Sequence, residues 1–168
     1  MKIFLIGFMG SGKTYWGQRW SAVSGLKFYD LDQMIEKASK KTIADIFAKK
    51  GEEKFREMER MHLRKFGRRK KFILACGGGT PCYFDNLQWM KTEGRVIYIK
   101  ASPQEIARNL SGELAPRPLL NDVDPDKITT FIRRKLKSRK VFYEQADVIF
   151  NQSTVNDRSI MKILAADF

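Results

Sequence analysis

An α/β fold built on a five-stranded parallel sheet is what this sequence predicts, and three observations carry the prediction. Short apolar runs alternate with amphipathic or basic stretches along all 168 residues, the pattern of strands joined by helical crossovers. The first run, Ile3-Phe4-Leu5-Ile6, is apolar throughout rather than alternating, as a strand covered on both faces must be. Directly behind it, Gly7-Phe8-Met9-Gly10-Ser11-Gly12-Lys13-Thr14 fits G-x-x-x-x-G-K-[ST] and leads into a segment with Trp16, Trp20 and Val23 at helical spacing. Strand, glycine loop and helix in that order make the architecture one of the P-loop type.

The elements follow in sequence. Residues 2–6 form the first strand, and a helix from about Gly12 to Ser24 stops at the C-cap glycine Gly25. Lys27 to Asp32 reads as a second strand ending in two carboxylates, followed by a short helix to about Lys40. Thr42-Ile43-Ala44-Asp45 resembles a capping box, with Ile43, Ile46 and Phe47 on one face. Gly51 interrupts this helix, which resumes through Phe55, Met58 and Met61 towards Phe66. Phe72 to Cys76 is the third strand, running into Gly77-Gly78-Gly79, and a helix is expected over Phe84–Lys91. Arg95–Ile99 is the fourth strand, and Ser102-Pro103 supplies an N-cap and a first helical residue. The segment Ser111–Asp126, with three prolines, predicts no regular element. Lys127–Tyr143 is a long basic helix, Asp147–Phe150 the fifth strand, and Thr154 to about Ala165 a closing helix. No repeat, low-complexity stretch or linker divides the chain, so residues 1–168 are read as one domain.

Composition narrows the function. With 43% apolar residues the chain can bury a core unaided, and no run approaches the ~18 consecutive apolar residues of a membrane span. The chain enters a strand at once, so no signal peptide is expected. Cys76 and Cys82 stand without histidines at metal-ligand spacing and read as free thiols of a reducing, cytoplasmic protein. His62, the one histidine, lies among charges and is expected at the surface. Lys and Arg number 32 against 19 Asp and Glu, a formal charge of +13. Such an excess marks some nucleic-acid binders, but these cations fall mostly at helical positions, with no aromatic-interleaved basic motif and no basic tail. A solvated helical surface that attracts anionic substrates accounts for it.

The chemistry-bearing residues collect where strands end, which is where ligands bind in such sheets. In the loop at 7–14, glycines bring backbone N–H groups round a phosphate chain and the helix adds its positive end. Lys13 reaches the outer phosphates and the Thr14 hydroxyl suits Mg²⁺, so the ligand is a nucleoside triphosphate, ATP first. Asp30-Leu31-Asp32, read as extended chain, places both carboxylates on one side for a metal shell and a proton acceptor. Gly77-Gly78-Gly79 allows backbone to approach a ligand or makes a tight turn. Arg117, in the proline-rich segment, suits a lid that closes on transferring phosphate. Arg56 and Glu59 lie three apart on one helical face, so Glu59 can fix the guanidinium for a bidentate grip on a carboxylate. Arg139 offers a second arginine.

As an ordered set, G-F-M-G-S-G-K-T, F-Y-D-L-D, I-A-D-I-F, G-E-E-K-F-R-E-M-E, G-G-G, A-P-R-P-L-L and R-x-x-x-Y resemble the shikimate kinases over essentially the full chain. The resemblance implies a nucleoside monophosphate kinase-like three-layer fold with strand order 2-3-1-4-5. It also implies a lid at about 111–124 and a substrate-binding helical segment at about 32–62. By the same resemblance, Gly10, Ser11, Gly12, Lys13, Thr14, Tyr15, Arg108 and Arg117 would bind the nucleotide, with Arg108 along the adenine. Thr14 and Asp30 would serve Mg²⁺, the third strand having no Walker B aspartate. Asp32, Arg56, Gly78, Gly79 and Arg139 would hold shikimate, with Lys13, Asp32 and Arg117 catalytic. The implied reaction is ATP-dependent phosphorylation of the 3-hydroxyl of shikimate by a monomer. Two other classes stay open: another small-molecule kinase of this fold, such as a gluconate kinase, and a basic ATP-binding protein associated with nucleic acid.

Overall fold

The computed structural model describes residues 1–111, 123–124 and 127–165. Five strands, β1 (Lys2–Ile6), β2 (Phe28–Asp30), β3 (Phe72–Ala75), β4 (Arg95–Lys100) and β5 (Val148–Asn151), pair in parallel in the order β2-β3-β1-β4-β5. This is the predicted sheet. Seven helices join and cover it among the described residues: α1 (Lys13–Ser24), α2 (Leu31–Ser39), α3 (Ile43–Arg64), α4 (Asn86–Glu93), α5 (Pro103–Ser111), α6 (Ile128–Tyr143) and α7 (Ser159–Ala165).

β1 occupies the centre because it can be buried on both sides, and its side chains still alternate. Ile3 and Leu5 pack with Trp20 of α1 and with Ile160 and Ile163 of α7. Phe4 and Ile6 face the opposite core, where Leu31 and Ile35 of α2, Ile46 and Phe55 of α3 and Met90 of α4 meet Tyr143 of α6. A smaller cluster of Phe8, Ile106 and Ile132 packs α5 and α6 beneath the first glycine loop. Fully burying each such side chain contributes about 1.5–3 kcal/mol, so a polar substitution at Phe4 or Leu5 would disable the sheet.

Helix ends obey the sequence signals. Gly25 is left-handed and its N–H donates to Ser21 O, closing α1. The Thr42 hydroxyl accepts from Asp45 N–H at 3.1 Å, and Ser102 and Glu105 satisfy each other's backbone N–H groups as a reciprocal box. Gly51, at φ 77° and ψ 169°, kinks α3 where the pattern was interrupted.

Four expectations are corrected. Extended chain ends at Asp30, whose carboxylate caps α2 by accepting from Asp32 N–H (3.1 Å) and Gln33 N–H (3.3 Å). Asp32 therefore lies in the first helical turn, and the two carboxylates converge through a cap rather than through strand alternation. His62 is buried, because it sits on the same flank of α3 as Glu59 and Leu63; its Nδ1 lies 2.9 Å from Met58 O. α4 starts at Asn86 rather than Phe84, since Phe84 adopts φ 54° after a single tight turn over Thr80–Cys82. α7 begins only at Ser159, the preceding residues being held in turns such as Val155 N–H to Asn151 O at 2.9 Å.

Candidate active site

Beyond the carboxyl ends of β1, β2 and β3 lies a cleft of about 570 Å³ lined by the glycine loop, α2 and the turn after β3. The loop is shaped by close approaches: a side chain at Gly7 (φ 143°) would place its Cβ 2.6 Å from Ile99 O. Asn109 of α5 braces the loop by donating to Gly10 O at 2.7 Å. Lys13 folds back across it, its ammonium donating to Gly7 O at 2.9 Å and Phe8 O at 2.7 Å.

α2, α3 and α5 are capped by Asp30, Thr42 and Ser102, whereas α1, like α4 and α6, has no side-chain cap and no acid in its first turn; what sets α1 apart is that its N-cap is Gly12 in left-handed geometry and that this end lines the cleft. Its first N–H groups and the positive helix end are thus left facing the cleft, an anion site by construction. Gly10, Gly12, Lys13, Thr14 and Tyr15 all line that cleft, while Ser11 is buried behind it.

Thr14 and Asp30 come together, the Thr14 hydroxyl donating to Asp30 Oδ2 at 2.9 Å. Two hard oxygen donors suit Mg²⁺, which takes one or two protein ligands and completes its shell with phosphate and water. No group of three or more His, Cys, Asp or Glu side chains could hold a metal by itself among the described residues.

A smaller pocket of about 70 Å³ opens off the cleft between α3, the glycine turn and α6. Met9, Asp32, Ile43, Gly77 and Gly78 line both spaces, so Asp32 stands at their junction. Arg56 and Arg139, both buried, contribute the positive charge. Arg56 Nη1 donates to Glu59 Oε2 at 2.6 Å, and the Thr80 hydroxyl donates to the other Glu59 oxygen at 2.5 Å. Burial pushes the Glu59 carboxyl above the usual carboxylate range, against the pull of Arg56 and the Thr80 hydroxyl. On its outer side Arg56 donates to Glu52 Oε1 at 2.7 Å and lies over the Tyr83 ring, 4.4 Å from its centroid. Burial works against Glu52 too, but hydrogen bonds from Arg56 and Tyr83 leave its carboxyl below the usual range. Arg139 lies over the Phe8 ring, and its Nη1 is buried with no hydrogen-bond partner among the described residues. A buried guanidinium N–H without a partner is costly, and it suits an anionic ligand. A Cβ at Gly79 would sit 2.5 Å from Arg56 Nη1, so a larger residue there would push the guanidinium out of its place between Glu59 and Glu52.

The structure thus brings together Lys13, Thr14, Asp30, Asp32, Arg56, Gly78, Gly79 and Arg139. Arg108 is exposed in the last turn of α5, the helix that braces the loop. Arg117 lies outside the described residues. Sequence reasoning missed Thr80, Glu52 and Tyr83, which fix Arg56, and Tyr143, whose hydroxyl donates to Gly78 O at 2.6 Å. Signals were present for three of them: Thr80 follows the three glycines directly, Glu52 lies one helical turn before Arg56, and Tyr143 closes the R-x-x-x-Y motif. Both cysteines are free; burial pushes the Cys76 thiol well up and that of Cys82 up to about 11, so neither is an activated nucleophile.

The fold and the cleft define a P-loop protein of the kinase type, built to hold a phosphate chain beside a small anion pocket. At the level of fold alone, deoxyadenosine kinase from M. mycoides superposes with a TM-score of 0.56 at 14% identity, over 99% of this chain and all of that one. Closer relations are specific. The shikimate kinase family model matches residues 9–167, and the chain belongs to that family. It is 38% identical to the shikimate kinase of Parabacteroides distasonis, over 97% of this chain and 99% of that protein. The crystal structure of shikimate kinase from Bacteroides thetaiotaomicron superposes with a TM-score of 0.87 at 34% identity, over 99% of this chain and 95% of that one. The Acinetobacter baumannii enzyme in complex with shikimate gives 0.88 at 29% identity, over 99% and 93%. No helix of the described residues is long and apolar enough to cross a membrane.

Proposed function

We propose that this chain transfers the γ-phosphoryl group of ATP to the 3-hydroxyl of shikimate, giving shikimate 3-phosphate and ADP. The observation that carries the reading is the shared wall. Asp32 lines both the phosphate cleft and the two-arginine pocket, so a hydroxyl held in the second would face a phosphoryl group held in the first. Membership of the shikimate kinase family supports the substrate.

The loop N–H groups and Lys13 hold and neutralise the phosphates. Arg56, oriented by Glu59 and Glu52, grips the shikimate carboxylate together with Arg139, whose Nη1 has no hydrogen-bond partner among the described residues and can donate to it. Gly78 and Gly79 admit the ring close to backbone. Asp32 hydrogen-bonds the ring hydroxyls and accepts the proton of the 3-hydroxyl as the new O–P bond forms. Thr14 and Asp30 would hold Mg²⁺, which would supply neutralisation of phosphate charge when bound. Arg117 and Arg108 are assigned to the lid and the adenine, with the lid at about 111–124 and the helical segment at about 32–62 as the substrate-binding part. Catalysis then rests on positioning and electrostatics rather than on a covalent intermediate. The enzyme works as a cytoplasmic monomer in this reading.

The test is ADP release from ATP and Mg²⁺ with shikimate, gluconate, a nucleoside monophosphate or no acceptor. Stimulation by shikimate alone is expected. Equal stimulation by gluconate or a nucleotide, or an acceptor-independent rate, would refute the substrate.

A further inference from the structure

A second cleft, of about 560 Å³, shares no lining residue with the two cavities of the site. It lies over β4 and β5, between the start of α5 and the outward flank of α6. Its floor is apolar, formed by Tyr98 on β4, Leu136 on α6 and Pro103 at the head of α5. Its rim is cationic. Arg133, Lys137 and Lys140 project from one flank of α6 at four- and three-residue spacing, and Lys100 closes the end of β4.

Two acids border the cleft, and both are engaged. Glu105 accepts from Ser102 N–H at 2.7 Å as the cap of α5, and Glu144 lies 3.7 Å from Lys140 Nζ. No ion pair within the described residues engages Lys100, Arg133 or Lys137. Like charges gathered around one concavity repel, and that repulsion is relieved by an anion placed between them. The apolar floor excludes a bare inorganic ion as the best occupant, because an ion would leave the half-buried Leu136 and Pro103 side chains facing water. We propose that this groove is a binding site for a hydrophobic organic anion, a flat apolar body on Tyr98 and Leu136 with its carboxylate or sulfonate among Lys100, Arg133, Lys137 and Lys140. It also gives part of the large positive charge a purpose that phosphate chemistry in the other cleft does not require.

The groove adjoins the reaction site through packed groups. The Tyr98 ring stacks at 4.9 Å on Tyr143, whose hydroxyl holds Gly78 O, and α6 carries Arg139 inward one residue before it carries Lys140 outward.

Calorimetric titration of the full chain with 1-naphthoate tests the proposal without reading phosphoryl transfer, so its outcome is independent of the function proposed above. Saturable one-site binding is expected, at least tenfold weaker in a Lys137→Glu/Lys140→Glu variant and unchanged in a Lys70→Glu/Lys71→Glu variant of equal net charge. Neutral 1-naphthol should bind at least tenfold more weakly than the anion. Should the first variant fail a circular-dichroism check of folding, Arg133→Gln carries the same comparison with an expected loss of about threefold. Absence of saturable binding, equal losses in the two charge-reversed variants, or equal binding of naphthol and naphthoate would each overturn the site.

Discussion

Replacing Glu59 by Gln isolates one buried carboxylate on which the substrate pocket depends. Glu59 is fully buried, with Arg56 2.6 Å from one oxygen and the Thr80 hydroxyl 2.5 Å from the other. Glutamine keeps the shape but has one acceptor oxygen for two donors. If that oxygen stays with Arg56, the bond keeps an ionised donor but loses the charge–charge attraction of the buried ion pair. The Thr80 hydroxyl can then rotate to accept from the new amide. Breaking a buried ion pair outright costs about 3–5 kcal/mol, but Arg56 keeps Glu52 on its other side, 2.7 Å away. A loss of about 2–3 kcal/mol follows. At about 2–4 °C per kcal/mol for a chain of this size, the melting temperature should fall by roughly 4–12 °C. Urea unfolding at constant m-value would measure it, and the KM for shikimate should rise more than kcat falls, since a loosened Arg56 still bears its charge. A change below about 0.5 kcal/mol would refute the reasoning. It would mean that Glu59, whose carboxyl burial pushes up, holds a proton in the native protein and that Arg56 relies on Glu52 alone.

Asp32→Asn should abolish transfer to shikimate while ATP binding, followed by calorimetry, stays within about threefold; near-normal turnover would remove Asp32 from the chemistry. Tyr143→Phe deletes the bond to Gly78 O and should cost about 0.5–1.5 kcal/mol in urea unfolding, more if the carbonyl is left dry. Cys82 gives a pH dependence. Its thiol is pushed by burial from 9.0 to about 11 in the fold, so between those values the unfolded chain has lost a proton that the native one retains. Stability should therefore be intact below pH 9 and decline as pH rises towards 11, by a slope that becomes shallower in Cys82→Ala; parallel pH profiles for the two proteins would dismiss the effect.

The sheet was legible because its signals are local. An all-apolar run before a glycine loop, apolar runs between helical stretches, and caps at Gly25, Thr42 and Ser102 depend on neighbours in sequence, while the order in which the strands pair is the one the family resemblance implied. The Lys13, Thr14 and Asp30 grouping was legible for the same reason, each being fixed by a strand end or a helix start. Asp32 lines the cleft, but not by the route read from the sequence: alternation along a strand cannot anticipate that Asp30 would cap a helix one residue later.

What the sequence by itself determined is therefore the order of strands and helices, the phosphate loop and the kinds of side chain at the site. Tertiary structure decided which of them meet. His62 reads as a surface residue from its charged neighbours, yet packing of α3 against the sheet buries it. Thr80 and Glu59 lie 21 residues apart and share a hydrogen bond only because β3 delivers the glycine turn to the flank of α3. Arg56 and Arg139 come from helices far apart in the chain and converge on one small pocket, where Arg139 keeps a buried donor with no partner among the described residues. Such desolvated pairings are set by three-dimensional proximity and burial, and no spacing rule in a linear chain encodes them.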